Sequence, residues 1–151
     1  MALEEAGWFD RASIAIHASD GSRSAIEKAK AGRYRQRSFR SLPLHLREKY
    51  FVERDGVWEP VPRLRSRIAS WSLANLMSSD DVALHAGSPV IFCRNAFIYF
   101  SPASVRAVVN TFADRMPTPS YLFVGASESL LTVTDRFVLE DLERAFVYVK
   151  R

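Results

Sequence analysis

Two short apolar runs constrain this chain's fold more than any other feature. Val90-Ile91-Phe92-Cys93 and Tyr121-Leu122-Phe123-Val124 are uninterrupted and short, which predicts strands buried on both faces of a parallel sheet. Between them lies the best-signed helix in the sequence. Ser101 is a natural N-cap and Pro102 stands at the first helical position, while Val105, Val108, Val109, Phe112 and Met116 recur at helical spacing. Pro117 and Pro119 end it. Strand, helix, strand predicts an α/β fold.

The rest of the chain extends this pattern. Residues 1–10 read as the end of a helix, with Gly7 where a C-terminal cap belongs. A strand is predicted over residues 13–18, then an acidic turn at Ser19-Asp20-Gly21, then a helix over 24–31 that Asp20 or Ser22 can cap and that stops at Gly32. Leu42, Leu44 and Leu46 around Pro43 suggest a turn into a short helix over residues 45–50. Phe51-Val52 and Val57-Trp58 flank Asp55-Gly56, a dipeptide suited to the positive φ angles of a hairpin turn. Residues 51–67 thus form a small β-hairpin insertion in one domain spanning 1–151. Residues 68–73 predict a strand and residues 78–89 a polar loop. Residues 136–139 and 145–149 predict a closing antiparallel hairpin. The expected fold is a single α/β sheet, helices on both faces, whose last two strands are antiparallel.

Composition narrows the function classes. The 151 residues are 48% apolar and 25% charged, ordinary for one globular domain. No apolar run approaches the roughly 20 residues of a membrane span, and no charged-then-apolar leader opens the chain, so the cytoplasm is the expected compartment. One cysteine, Cys93, precludes an internal disulfide or a multi-cysteine zinc site. It reads as a buried hydrophobe. His17, His45 and His85 match no metal-ligand spacing, so no metal is implied. Between residues 23 and 67, ten arginines and three lysines face five acids, a local charge of +8, and the remainder carries −4. Arginine pairs in a fork with carboxylate or phosphate, so an acidic partner or a merely solvated basic face are both open readings. Charge is the sole support for a nucleic-acid partner, with no recognition helix or basic-aromatic motif beside it.

Ligands of open α/β sheets sit beyond the carboxyl ends of the strands. Three polar groups fall there. Asp20, after the first strand, is either a ribose-hydroxyl acceptor or a helix cap. Asn75 follows the 68–73 strand and is otherwise a turn residue. Arg94-Asn95 follows the Val90 strand, where a charge at the rim of a core needs a partner, in a structural salt bridge or in a ligand.

These residues sit in stretches that resemble the chemotaxis receptor methyltransferases, the CheR family. Val90-Ile91-Phe92-Cys93-Arg94-Asn95-Ala96-Phe97-Ile98-Tyr99-Phe100 looks like that family's signature. In the same order come Ile16-His17-Ala18-Ser19-Asp20, Ala29-Lys30-Ala31-Gly32-Arg33-Tyr34, Arg37-Ser38-Phe39-Arg40, Asn75-Leu76 and Tyr121-Leu122-Phe123-Val124-Gly125-Ala126-Ser127-Glu128-Ser129-Leu130. The resemblance implies a partial Rossmann-like, class I methyltransferase sheet. It implies methyl transfer from S-adenosylmethionine to glutamate side chains of chemoreceptors or related acidic signalling proteins. By the same resemblance Asp20 binds the cofactor ribose, Asn75 and Leu76 flank the adenine, Arg94 and Asn95 line the cofactor pocket, and Tyr99 stands close to the transferred methyl. The hairpin at Asp55-Gly56 falls where the family inserts a small receptor-contacting β-subdomain.

There are departures too. The family's glycine-rich cofactor loop and first strand lie upstream of everything matched here. None of the six glycines is separated from another by one residue. Ala126 stands where the family often has His, and Pro119-Ser120 where it usually has glycine. The chain alone is therefore expected to bind S-adenosylmethionine weakly or not at all. The alternative reading is a non-catalytic CheR-like module that binds an acidic signalling partner.

Overall fold

A computed structural model of the chain describes residues 1–143 and 145–151. They divide into two compact units, Met1–Leu73 and Ala74–Arg151.

The first unit opens with two single-turn helices, α1 (Ala2–Glu5) and α2 (Trp8–Arg11). Gly7 joins them at φ +66, in the left-handed region that glycine enters without steric cost. Strand β1 (Ile16–Asp20) follows, then α3 (Arg23–Ala31). The strand begins three residues later and ends two residues later than the sequence predicts. Its extent is set by parallel pairing with the later strand β4, Ile16 opposite Ile68 through Asp20 opposite Leu73. Ser22, not Asp20, caps α3, its Oγ accepting from the Ala25 amide at 3.4 Å, and Gly32 closes the helix at φ +63. Helix α4 (Leu44–Tyr50) leads into the hairpin β2 (Phe51–Arg54) and β3 (Val57–Pro60). Asp55 and Gly56 take φ +51 and +73, the paired positive angles of a tight hairpin. A single turn, α5 (Pro62–Arg65), then leads to β4 (Ile68–Leu73).

The hairpin acquires a third backbone neighbour. Tyr34 exchanges two hydrogen bonds with Trp58, at 2.9 and 2.8 Å. Tyr34, Phe39, Phe51 and Trp58 pack edge-on or tilted around buried Phe39, with ring centroids 4.9–6.2 Å apart. Such a cluster gives a small hairpin the apolar face it needs.

The second unit begins with α6 (Ser79–Ala86), where the sequence reading expects a polar loop. The signals for a helix are local. Ser78 Oγ accepts from the Asp81 amide at 3.3 Å, Asp80 and Asp81 occupy the first turn, and Val82 and Ala86 bury one face. Then come β5 (Val90–Cys93), α7 (Pro102–Arg115), β6 (Ser120–Val124), β7 (Val138–Asp141) and β8 (Phe146–Lys150). Their sheet has the order β5-β6-β8-β7, parallel between β5 and β6 and antiparallel thereafter. Ser101 Oγ caps α7 through the Ser104 amide at 3.1 Å, as its sequence predicts. Val105, Val108, Val109, Phe112 and Met116 are all buried. They join Cys93, Leu122 and Tyr148 of the sheet in one core.

The fold is α/β, as the sequence predicts. In the first unit β1 pairs with β4 and β2 with β3; in the second, β5, β6, β8 and β7 form one sheet. One burial expectation is overturned: β5 is not buried on both faces. Ile91 and Cys93 face the core, but Phe92, stacked on Phe123 at 4.6 Å between centroids, is 69% exposed.

Candidate functional site

Asp20 ends β1, its carboxylate exposed. One oxygen accepts from the Ser22 amide at 2.8 Å, a local turn that aims the side chain without burying it. Asn75 and Leu76 begin the second unit. Asn75 Oδ1 accepts from the Met77 amide at 3.0 Å, and the Asn75 amide donates to Asp81 Oδ2 at 2.8 Å. Leu76 packs against the core of that unit. So Asn75 is the turn residue its sequence suggests, Asp20 forms a local turn in place of the helix cap, and both side chains keep hydrogen-bonding capacity for a ligand.

Arg94 and Asn95 follow β5. Arg94 is exposed and makes no ion pair among the described residues. This removes the salt-bridge alternative and leaves the ligand one, since in water a guanidinium carries no desolvation cost that a protein partner must offset. Asn95 takes φ +58, a left-handed conformation that asparagine tolerates better than most residues. Tyr99 ends a 3₁₀ turn, Phe97–Tyr99, and is 82% exposed. Within the second unit, Arg94, Asn95, Ile98 and Tyr99 are therefore exposed at the carboxyl end of β5, while Phe97 between them is buried.

Cys93, just before that segment, is buried as its sequence predicts. Burial, with the Glu128 carboxylate adding to it, pushes the thiol up to about 12. A thiol so raised stays protonated at neutral pH and is no nucleophile.

Glu128 is the residue sequence reasoning missed. It is 6% exposed, and its carboxylate accepts from four backbone amides. Asn95 and Gly125 donate to Oε2 at 2.8 and 2.6 Å, and Phe97 and Ile98 to Oε1 at 2.7 and 3.2 Å. The signal was one acid amid the small and apolar residues of Gly125-Ala126-Ser127-Glu128-Ser129-Leu130, directly after a strand. A Cβ at Gly125 would fall 2.5 Å from Glu128 Oε2 and 3.1 Å from Asn95 Oδ1. That close approach is why glycine stands there.

The first unit also presents arginines. Arg33, Tyr34, Arg35 and Val57 line a surface concavity of about 300 Å³, and Arg37, Ser38 and Arg40 another of about 440 Å³. All four arginines are exposed, and Arg33 lies 3.8 Å from Glu59.

Residues 1–146 match the family described as CheR methyltransferase, SAM binding domain. This chain belongs to that family. The chemotaxis protein methyltransferase of Vibrio parahaemolyticus is 34% identical over 137 residues, 90% of this chain and 49% of that protein. Chemotaxis protein methyltransferase 2 of Vibrio cholerae is 31% identical over 149 residues, covering 98% of this chain and 51% of that protein. The chemotaxis protein methyltransferase of Escherichia coli K12 is 28% identical over 127 residues, 82% and 44% respectively. The chain thus spans about half the length of these relatives.

S-adenosylmethionine is the cofactor of the CheR family, and the residues present suit it in kind. Asp20 offers an exposed acceptor for a ribose diol, Asn75 an amide, and Leu76 an apolar edge. No helix among the described residues is long and apolar enough to cross a membrane. No group of three His, Cys, Asp or Glu side chains among them could hold a metal ion.

Proposed function

We propose that this chain is part of a CheR-type protein-glutamate O-methyltransferase acting on chemoreceptors or related acidic signalling proteins. The family match over residues 1–146 carries this reading, and it supports taking both units as one methyltransferase domain with residues 51–67 as a small insertion. Asp20 binds the ribose hydroxyls, Asn75 and Leu76 flank the adenine, and Arg94 and Asn95 line the pocket, with Tyr99 near the reacting centre. The cofactor, when bound, supplies an electrophilic sulfonium methyl. A substrate glutamate is ionised at neutral pH, so the protein needs no general base. Its residues hold the carboxylate and the cofactor in line and keep them there.

The exposed arginines at 33, 35, 37 and 40 support an acidic partner. Their charges draw carboxylate-bearing helices to the first unit. They also support the second reading, a non-catalytic CheR-like module that only binds such a partner.

Titration of S-adenosylhomocysteine into the purified chain, repeated with Asp20→Ala, separates the two. The methyltransferase reading expects binding that the substitution weakens about 10- to 100-fold, the loss of hydrogen bonds to a charged acceptor. Binding that is equal with Asp20→Ala defeats the ribose assignment, and a folded chain that binds none leaves the binding module as the reading of this chain by itself.

A further inference from the structure

Glu128 has no place in the site as assigned so far, yet among the described residues of the second unit it is the most heavily hydrogen-bonded side chain. An acid buried this deeply is costly unless its charge is matched. No cation pairs with it among the described residues. Backbone dipoles match it instead, four amides converging on two oxygens. Charge-assisted bonds of this kind are short and about twice as strong as neutral ones.

The origin of those amides gives the arrangement its meaning. Three come from residues 95–98, the segment that carries the candidate cofactor contacts, and one comes from the turn after β6. Glu128 is itself held from behind. Its amide donates to the Gly125 carbonyl at 2.9 Å, and the Leu130 amide donates to the Tyr148 hydroxyl at 2.8 Å. The carboxylate is thus a fixed post. The segment tied to it contains Asn95 at φ +58, a conformation a free loop would leave for lower-energy regions.

We propose that Glu128 is a positioning residue, its carboxylate clamping residues 95–98 so that Arg94 and Asn95 are held at the carboxyl end of β5. Its consequence for the cofactor rests on the function proposed above; the clamp itself does not. A space-filling role would need only the shape of the side chain, whereas a clamp needs acceptors on both oxygens.

Glu128→Gln distinguishes the two, because it keeps the shape and replaces one acceptor with a donor. Amide hydrogen exchange on the ¹⁵N-labelled chain is the readout, together with the Asn95 amide-to-Hα coupling that reports its positive φ. With Glu128→Gln, amides facing the replaced oxygen should exchange about 10-fold faster or more. With Glu128→Ala, all of Asn95, Phe97, Ile98 and Gly125 should do so and the Asn95 coupling should shift. Leu122 and Val147, in β6 and β8, should keep their protection in both variants. Unchanged exchange at all four sites in Glu128→Gln overturns the proposal, and so does loss of protection throughout the unit in that isosteric variant. Titration with S-adenosylhomocysteine then tests the consequence. If the wild-type chain binds it, Glu128→Gln must weaken binding about 10-fold, and equal affinity overturns the positioning role. If the wild-type chain by itself binds none, the exchange pattern alone decides the clamp.

Discussion

Glu5, Lys49 and Tyr50 show how much one contact depends on ionisation. Tyr50 is fully buried, and its hydroxyl donates to Glu5 Oε1 at 2.5 Å, while Lys49 Nζ lies 2.6 Å from the same oxygen. Hydrogen bonds from Lys49 and then Tyr50 hold the Glu5 carboxyl below its ordinary value. The bond to Glu5 raises both Lys49 and Tyr50 above theirs. A depressed acid stabilises the fold above its unfolded value and loses that contribution as pH falls through the folded one. The raised Lys49 and Tyr50 contribute below their unfolded values and lose it as pH climbs through the folded ones. Urea midpoints of the wild-type chain should therefore fall below about pH 4.3 and again above about pH 10. Glu5→Gln should lower the plateau between these limits and flatten both flanks. Parallel curves for the two proteins would mean that the contact contributes nothing in solution.

At the scale of elements, caps account for most of what forms where. Helix α7 has Ser101 as N-cap and Pro102 behind it, and its buried stripe fills the second unit's core. Ser101→Ala leaves the Ser104 amide without its acceptor and should cost about 1 kcal/mol, read as a lower denaturation midpoint. Ser101→Asp should keep most of that stability, because an aspartate accepts the same bond and favours the positive end of the helix. Equal loss in both would assign the effect to packing. Helix α6 uses the same device at Ser78. There the sequence reading gave weight to polarity over the cap and the acidic first turn. In β5 it read an apolar run as burial on two sides, although a run shows only that a strand can be buried.

For the whole molecule, the charge is divided as the sequence is. The excess of basic charge lies in the first unit, a net +5, while the residues after 73 are nearly balanced at a net −1. Tyr34 is locked to Trp58 by its backbone, so Arg33 and Arg35 on either side of it are held at the edge of a small sheet, not on a free loop. Arg33→Gln/Arg35→Gln/Arg37→Gln/Arg40→Gln should weaken binding to an acidic chemoreceptor fragment by about fivefold or more and flatten its salt dependence, as loss of several exposed charge pairs would. Affinity and salt dependence equal to wild type would remove this face from the partner's path.

What was legible in the sequence was local. Ser22, Gly32, Asp55-Gly56, Ser101 and Pro102 act through neighbours a few residues away, so their turns and caps stand where the residues predict. Ordered blocks such as those around Asp20 and Arg94-Asn95 likewise pointed to the family, because a site's chemistry is carried by residue type and order. Tertiary structure alone decided the rest. The start of β1 depends on pairing with a strand some fifty residues later, from Ile16 to Ile68. The exposure of Phe92 and of Arg94 depends on what covers them. Glu128 meets Asn95, 33 residues away, only because β5 and β6 lie side by side. Contacts between distant residues leave no periodicity in a single sequence, and burial is a property of neighbours that only folding brings.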